Sequence, residues 1–104
     1  MSNYKLLYIT CGSKIEAVKL GKLLVKNKFV ACINIFSNIK SIFNWRHKVA
    51  QSQEEILIGK TQKKNVSKII KLIERKHSYK CPCILFFDIE KGNKKFLSWI
   101  KKNS

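Results

Sequence analysis

Proline occurs once in this chain, histidine twice and acidic side chains only six times. The shortage of acid leaves a net charge of +16 against 22 lysines and arginines. No apolar stretch approaches the ~20 residues a membrane-spanning helix needs. The opening Met1-Ser-Asn-Tyr-Lys5 runs straight into a strand-like segment without the apolar core of a signal peptide, so the expected location is cytoplasmic. No Ser-His-Asp order, glycine-rich phosphate loop, acid–base carboxylate pair or HExxH motif is present. An enzyme of any of those types is therefore not expected.

Arginine is scarce as well: of the 22 basic residues only Arg46 and Arg75 are arginine. Base and phosphate recognition favours the arginine fork, and the lysines are spread along the chain rather than gathered in one run. A solvated lysine-rich surface accounts for that distribution, with nucleic acid bound only non-specifically if at all. A basic nucleic-acid-binding module remains the alternative. The RNA-recognition motif, however, stacks bases on aromatics in its third strand, and Glu55-Ile-Leu-Ile-Gly-Lys-Thr61 holds none. A phosphatase of the acylphosphatase type would need an arginine-bearing loop after the first strand, and Cys11-Gly-Ser-Lys14 has no arginine.

What is present is enough for a core. A hydrophobic share of 45% and an aromatic share of 11% predict one globular domain over residues 1–104, small enough to gain from oligomerisation. Tyr4–Cys11 is apolar on both faces, as a central strand is. Ser13 and Glu16 form a capping box for a helix reaching about Lys28, with Ala17, Leu20, Gly21 and Leu24 on one stripe. Phe29–Phe36 reads as a second strand continuing through Ile39–Trp45, and Val49–Thr61 as a third. Together they make a long hairpin with its tip near Arg46-His47. Val66, Ile69, Ile70 and Ile73 recur at helical spacing between Lys63 and Lys76. Cys83–Ile89 reads as the fourth strand, and Phe96, Leu97, Trp99 and Ile100 as a short C-terminal helix after Gly92-Asn93.

The order β-α-β-β-α-β-α predicts a ferredoxin-like α/β sandwich, a βαββαβ unit with an antiparallel sheet, strand order 4-1-3-2 and both main helices on one face. That order sets the end of strand one beside the start of strand four, where His77-Ser-Tyr-Lys-Cys-Pro-Cys83 lies. Cys81 and Cys83, two apart on a strand, would point both thiols to one face. With His77 and the neighbouring Cys11 they make a thiolate–imidazole set suited to Cu(I) or Zn(II). The plainer alternative is two apolar-tolerant cysteines opening a buried strand. Cys11 and Cys32, in apolar runs, read as core residues, and all four thiols are expected to stay reduced. His77 would end its helix near the negative pole and Tyr79 pack at an interface between subunits, or both would wall a cleft there together with Trp45 and Lys60. Glu54 is expected to pair with a lysine of the long strand.

Several motifs narrow the fold to a family: Thr10-Cys11, Ala31-Cys32-Ile33-Asn34-Ile35, Phe43-x-Trp45-x-x-Lys48, Glu54 ahead of Lys60-Thr61, His77-x-Tyr79-x-x-Pro82-x-Ile84, and Gly92-Asn93 before Phe96-Leu97-x-Trp99-Ile100. In this order and spacing they resemble the CutA family, the divalent-cation tolerance proteins, from about Tyr4 to Lys102. The resemblance implies a tight homotrimer whose long hairpins extend the sheets across subunits. It also implies a cytosolic bacterial setting, a link to copper and other divalent metals, no established reaction and no required cofactor. The trimer resembles the PII signalling proteins, which implies binding in intersubunit clefts; Trp45, Lys60, His77 and Tyr79 are expected to wall such a cleft. The family usually reads His-Pro-Tyr-Glu-x-Pro-Glu where this chain has Ser78, Lys80 and Cys83 in place of a proline and two glutamates. His47 stands where a hairpin glycine is usual, and a positive φ is costly without one. The copper-binding cysteine and histidine positions of some members fall beside Ile9, Leu72 and Lys76 here, which cannot serve. This chain offers Cys11, His77, Cys81 and Cys83 instead.

Overall fold

A computed structural model describes residues 2–104. Its elements are β1 (Tyr4–Cys11), α1 (Lys14–Lys26), β2 (Cys32–Trp45), β3 (Lys48–Gln62), α2 (Val66–Lys76, entered by a 3-10 turn at Lys63–Asn65), β4 (Ile84–Asp88) and α3 (Lys94–Asn103). All neighbouring strands are antiparallel in the order β2-β3-β1-β4, the ferredoxin-like arrangement expected from the pattern. Among the described residues no helix is long and apolar enough to cross a membrane.

Period-two alternation splits β1 between two surfaces. Leu7, Ile9 and Cys11 are fully buried against α1 and α2, whereas Leu6, Tyr8 and Thr10 on the other side are only half-buried. The core joins Leu7, Ile9 and Leu57 of the sheet to Ala17, Leu20 and Leu24 of α1 and Ile69, Leu72 and Ile73 of α2. Each buried leucine or isoleucine there contributes about 2 kcal/mol. Gly59 lets β2 and β3 close up beneath this layer, since a Cβ at that position would sit 2.9 Å from Ile33 Cδ1 and 3.0 Å from Val30 Cγ1. On the second sheet face Tyr8 lies between Ile58 and Leu85, and Leu6 between Lys60 and Phe87. Leu85 and Phe87 remain 50% and 51% exposed. α3 meets the sheet at the far end of β3, where the Gln62 amide donates to the Lys101 and Ser104 carbonyls. Cys32 is not a core residue: it pairs with Lys60 and shares the second face with Asn34 and Phe36, only half-buried.

The hairpin contains two departures from regular backbone. Phe36 pairs with Ile56 but Ile39 with Glu54, so Ser37 and Asn38 together face Glu55 alone, a β-bulge with Asn38 at φ 60°. The Glu55 carboxylate accepts from the Ser37 hydroxyl at 2.7 Å and from the Asn38 N–H at 3.1 Å, the latter a backbone donor that the bulge displaces from the ladder. At the tip, Trp45 pairs with Lys48 around a two-residue turn in which Arg46 (φ 50°) and His47 (φ 66°) are both left-handed. A primed turn matches strand twist, so the ladder imposes this geometry on two residues that disfavour it, with no glycine at the tip.

Candidate functional site

β1, α1 and the α2–β4 connection converge because β1 is central and ends beside the start of β4. α2 stops at His77, whose N–H still donates to the Ile73 carbonyl while its own backbone turns extended. The imidazole swings back under the sheet edge, where its side chain has no exposed surface. Its Nε2 lies 2.7 Å from the Thr10 carbonyl, and its Nδ1 accepts the Tyr79 N–H at 3.0 Å. A nitrogen that accepts an N–H carries no proton, so these partners assign the hydrogen to Nε2 and leave the lone pair on Nδ1.

Glu16 faces the same point from the first turn of α1. Ser13 Oγ accepts the Glu16 N–H at 3.2 Å, which is one half of the expected capping box. The other half is absent, because the Glu16 carboxylate turns to the α2–β4 connection instead. Oε2 accepts the Ser78 N–H at 2.7 Å and Oε1 the Ser78 hydroxyl at 2.9 Å. Oε2 also lies 3.9 Å from His77 Nδ1. With the buried Cys11 thiol these groups form a cluster whose ligand atoms lie within 4.8 Å of one another. Burial, reinforced by Glu16, Glu54 and Glu55, pushes the Cys11 thiol up to about 12. Nothing in the sequence links Glu16 to Ser78, 62 positions later; only the fold brings them together.

Tyr79 crosses the end of β1 above Gly12, where a Cβ would lie 3.1 Å from the phenol oxygen. Its hydroxyl donates to Glu54 Oε2 at 2.8 Å, and its ring packs on His77 with centroids 4.8 Å apart. Burial and the bond to Glu54 push the phenol up to about 12. Glu54 is thus tied to Tyr79 rather than to a strand lysine.

The two cysteines of the Cys-Pro-Cys segment are not on a strand. Cys81 is exposed and Cys83 half-buried in irregular backbone, and β4 begins only at Ile84, opposite Ile9. Pro82 has no N–H to give a ladder and restrains Cys81 before it, which delays the strand. Ile84 and Phe86 pack against the core, so Cys83 turns to the opposite face, the side of Thr10. Burial and then Glu54 raise its pKa. Cys11 and Cys83 therefore approach along the chain but lie on opposite faces of the sheet. The group that gathers includes Cys11 and His77 from the expected ligands and adds Glu16.

Within one chain His77 and Tyr79 are adjacent, but the other two expected cleft residues are remote. Trp45 closes the hairpin tip opposite Lys48, with the Arg46 guanidinium 5.7 Å from its ring, and Lys60 bonds Asn34 near the far end of β3. Lys48 and Lys60 each stand six residues from Glu54, in opposite directions, which is about 20 Å along a strand. A cleft lined by all four residues requires more than one copy of the chain.

A βαββαβ sandwich with an overlong central hairpin and a thiol–imidazole–carboxylate cluster at the β1–β4 junction defines a small ferredoxin-like protein with a polar, ligand-rich corner. Residues 5–103 match the family model described as CutA1 divalent ion tolerance protein. The chain is 39% identical over 97 residues to the divalent-cation tolerance protein CutA of Archaeoglobus fulgidus, covering 93% of this chain and 94% of that one. It is 31% identical to the chloroplastic CutA of Arabidopsis thaliana, of whose length it spans 54%. The crystal structure of CutA1 from Oryza sativa superposes with a TM-score of 0.96 at 29% identity, covering 99% of this chain and 94% of that one. The chain belongs to the CutA family of divalent-cation tolerance proteins.

Proposed function

We propose that this protein works as a homotrimer that binds divalent cations, copper among them, at the junction carrying Cys11, His77, Cys81 and Cys83, and that it serves cation tolerance or PII-like signalling through intersubunit clefts rather than catalysis. The observation that carries the assembly is the second sheet face. Leu6, Tyr8, Ile56, Ile58, Leu85 and Phe87 form an apolar surface on the side away from α1 and α2. The hairpin beyond it presents Phe43, Trp45 and Val49 to solvent, at 41%, 59% and 77% exposure. Apolar area of this extent on a 104-residue chain calls for a partner surface, and a second and third copy supply it with the hairpins as arms. Four free thiols favour a reducing, cytoplasmic setting. The cation role is supported by the names of the family's relatives and by the donor chemistry of the junction.

Sedimentation equilibrium of the reduced protein at micromolar concentration tests the assembly. The expected mass is three times the 12.1 kDa chain. A monomer across that range sinks the trimer, and with it the intersubunit clefts.

A further inference from the structure

We propose that Cys11 Sγ, His77 Nδ1 and the Glu16 carboxylate form a three-ligand site for a borderline divalent cation, with zinc the best chemical fit. This deepens the cation-binding role proposed above and rests on it, but it moves the site to the helix side of the sheet, away from Cys81 and Cys83.

Three observations converge. The first is donor geometry: one atom from each residue lies within 4.8 Å of the others, on three different elements anchored by the core. Contraction of about 1 Å would bring these donors to the separations found around a four-coordinate zinc, whose bonds run about 2.0–2.3 Å. The second is orientation. A metal-binding imidazole characteristically gives its other N–H to a carbonyl or carboxylate, and here Nε2 is spent on the Thr10 carbonyl at 2.7 Å. The Nδ1 lone pair, which accepts the Tyr79 N–H at 3.0 Å, lies 3.9 Å from Glu16 Oε2. The Glu16 carboxylate is itself steadied by the Ser78 N–H and hydroxyl, so it can use a remaining lone pair on an ion without losing either bond.

The third observation is charge. Only six acidic residues exist in a chain of net charge +16, yet three of them surround Cys11. Glu55 is its cross-strand partner, Glu54 meets Tyr79 just beyond Gly12, and Glu16 joins the cluster directly. This corner is the place where a cation escapes the general repulsion. One thiolate and one carboxylate balance a dication, whereas a monovalent ion would leave a buried negative charge. Hard cations such as magnesium and calcium take all-oxygen shells, and Cu(I) takes several soft donors, of which this site has one. Binding displaces the Cys11 thiol proton to solvent as the metal–sulfur bond forms, and it takes Nδ1 from the Tyr79 N–H. The fourth position stays open to water at the Glu16 edge, where that side chain is 16% exposed.

The test uses the reduced full-length protein and Co(II) as a spectroscopic probe, with Zn(II) as competitor. The expected result is a thiolate-to-cobalt charge-transfer band with tetrahedral visible bands, both abolished by zinc. Cys11→Ser should remove the charge-transfer band, and Glu16→Gln, which preserves a partner for Ser78, should weaken cobalt affinity by about tenfold or more. Cys81→Ser/Cys83→Ser should leave both signals in place. Circular dichroism and sedimentation confirm that each variant is folded and assembled as the wild type. If the charge-transfer band survives in Cys11→Ser or disappears in the Cys81/Cys83 double variant, the proposed ligand set is wrong while cation binding stands. If calorimetry shows no uptake of Co(II), Zn(II) or copper by the wild type, the broader cation-binding role falls with it.

Discussion

Replacing Tyr79 with phenylalanine isolates one interaction at the junction. The ring keeps its place over Gly12 and beside His77, while the hydroxyl that donates to Glu54 Oε2 at 2.8 Å is deleted. Glu54 is buried, and water has little access to take the place of the phenol. A hydrogen bond to a carboxylate contributes about 1.5–3 kcal/mol, and removing one partner of a buried pair lies toward the upper part of that range. The expected loss is therefore about 2.5 kcal/mol per chain, read from urea unfolding at one fixed protein concentration so that any assembly equilibrium is held constant. Glu54→Gln should cost less in the Tyr79→Phe background than in the wild type, with a coupling of about 1 kcal/mol or more. A loss below about 0.5 kcal/mol, or additive effects of the two changes, would show that the bond merely replaces one to solvent and that the Tyr79 phenol does not hold the connection to β3.

Arg46→Asn/His47→Gly should stabilise the protein by about 1 kcal/mol, because both positions have positive φ and the new residues tolerate it; equal urea midpoints would refute the strained turn. Gly59→Ala should destabilise by about 1–3 kcal/mol, since its Cβ would press on Ile33 and Val30, and unchanged stability would mean that the strands part freely. The Ser37 hydroxyl and the Asn38 N–H hold the Glu55 carboxyl below its usual 4.5. Its folded pKa is depressed, so its contribution is present above pH 4.5 and is lost as pH falls through the lower folded value; Glu55→Gln should flatten the acid limb of the stability curve, and an identical limb would exclude this cause. Aromatic disulfide reagents at mildly alkaline pH should modify exposed Cys81 first and half-buried Cys83 more slowly, leaving Cys11 untouched until unfolding; early loss of the Cys11 thiol by mass spectrometry would contradict its burial.

Much of the fold was legible because its causes are local. The two-sided apolar run of Tyr4–Cys11 marks the central strand, the spacing of Ile69 and Ile73 marks α2, and the order of elements leaves few sheet topologies for short connections. The family motifs were legible for the same reason, being residues at set intervals. Strand order alone set Cys11 beside the segment from His77 to Cys83.

Tertiary structure decided the rest, through contacts that no interval in the chain encodes. Glu16 reads as a capping residue until the sandwich closes and sets its carboxylate on Ser78. Glu54 and Tyr79, 25 positions apart, become partners because Gly12 leaves room for the phenol to cross the end of β1. Cys83 misses the Cys11 cluster because of register: Ile84 pairs with Ile9, which sets Cys83 next to it on the face of Thr10 rather than that of Cys11. At Arg46-His47 the ladder on both sides overrides local preference, since the twist of two long paired strands outweighs the cost of two left-handed residues. Local pattern determined which segments are strands and helices, and the packing of those segments decided which side chains meet, because burial and register are properties of the assembled sheet rather than of any stretch of sequence.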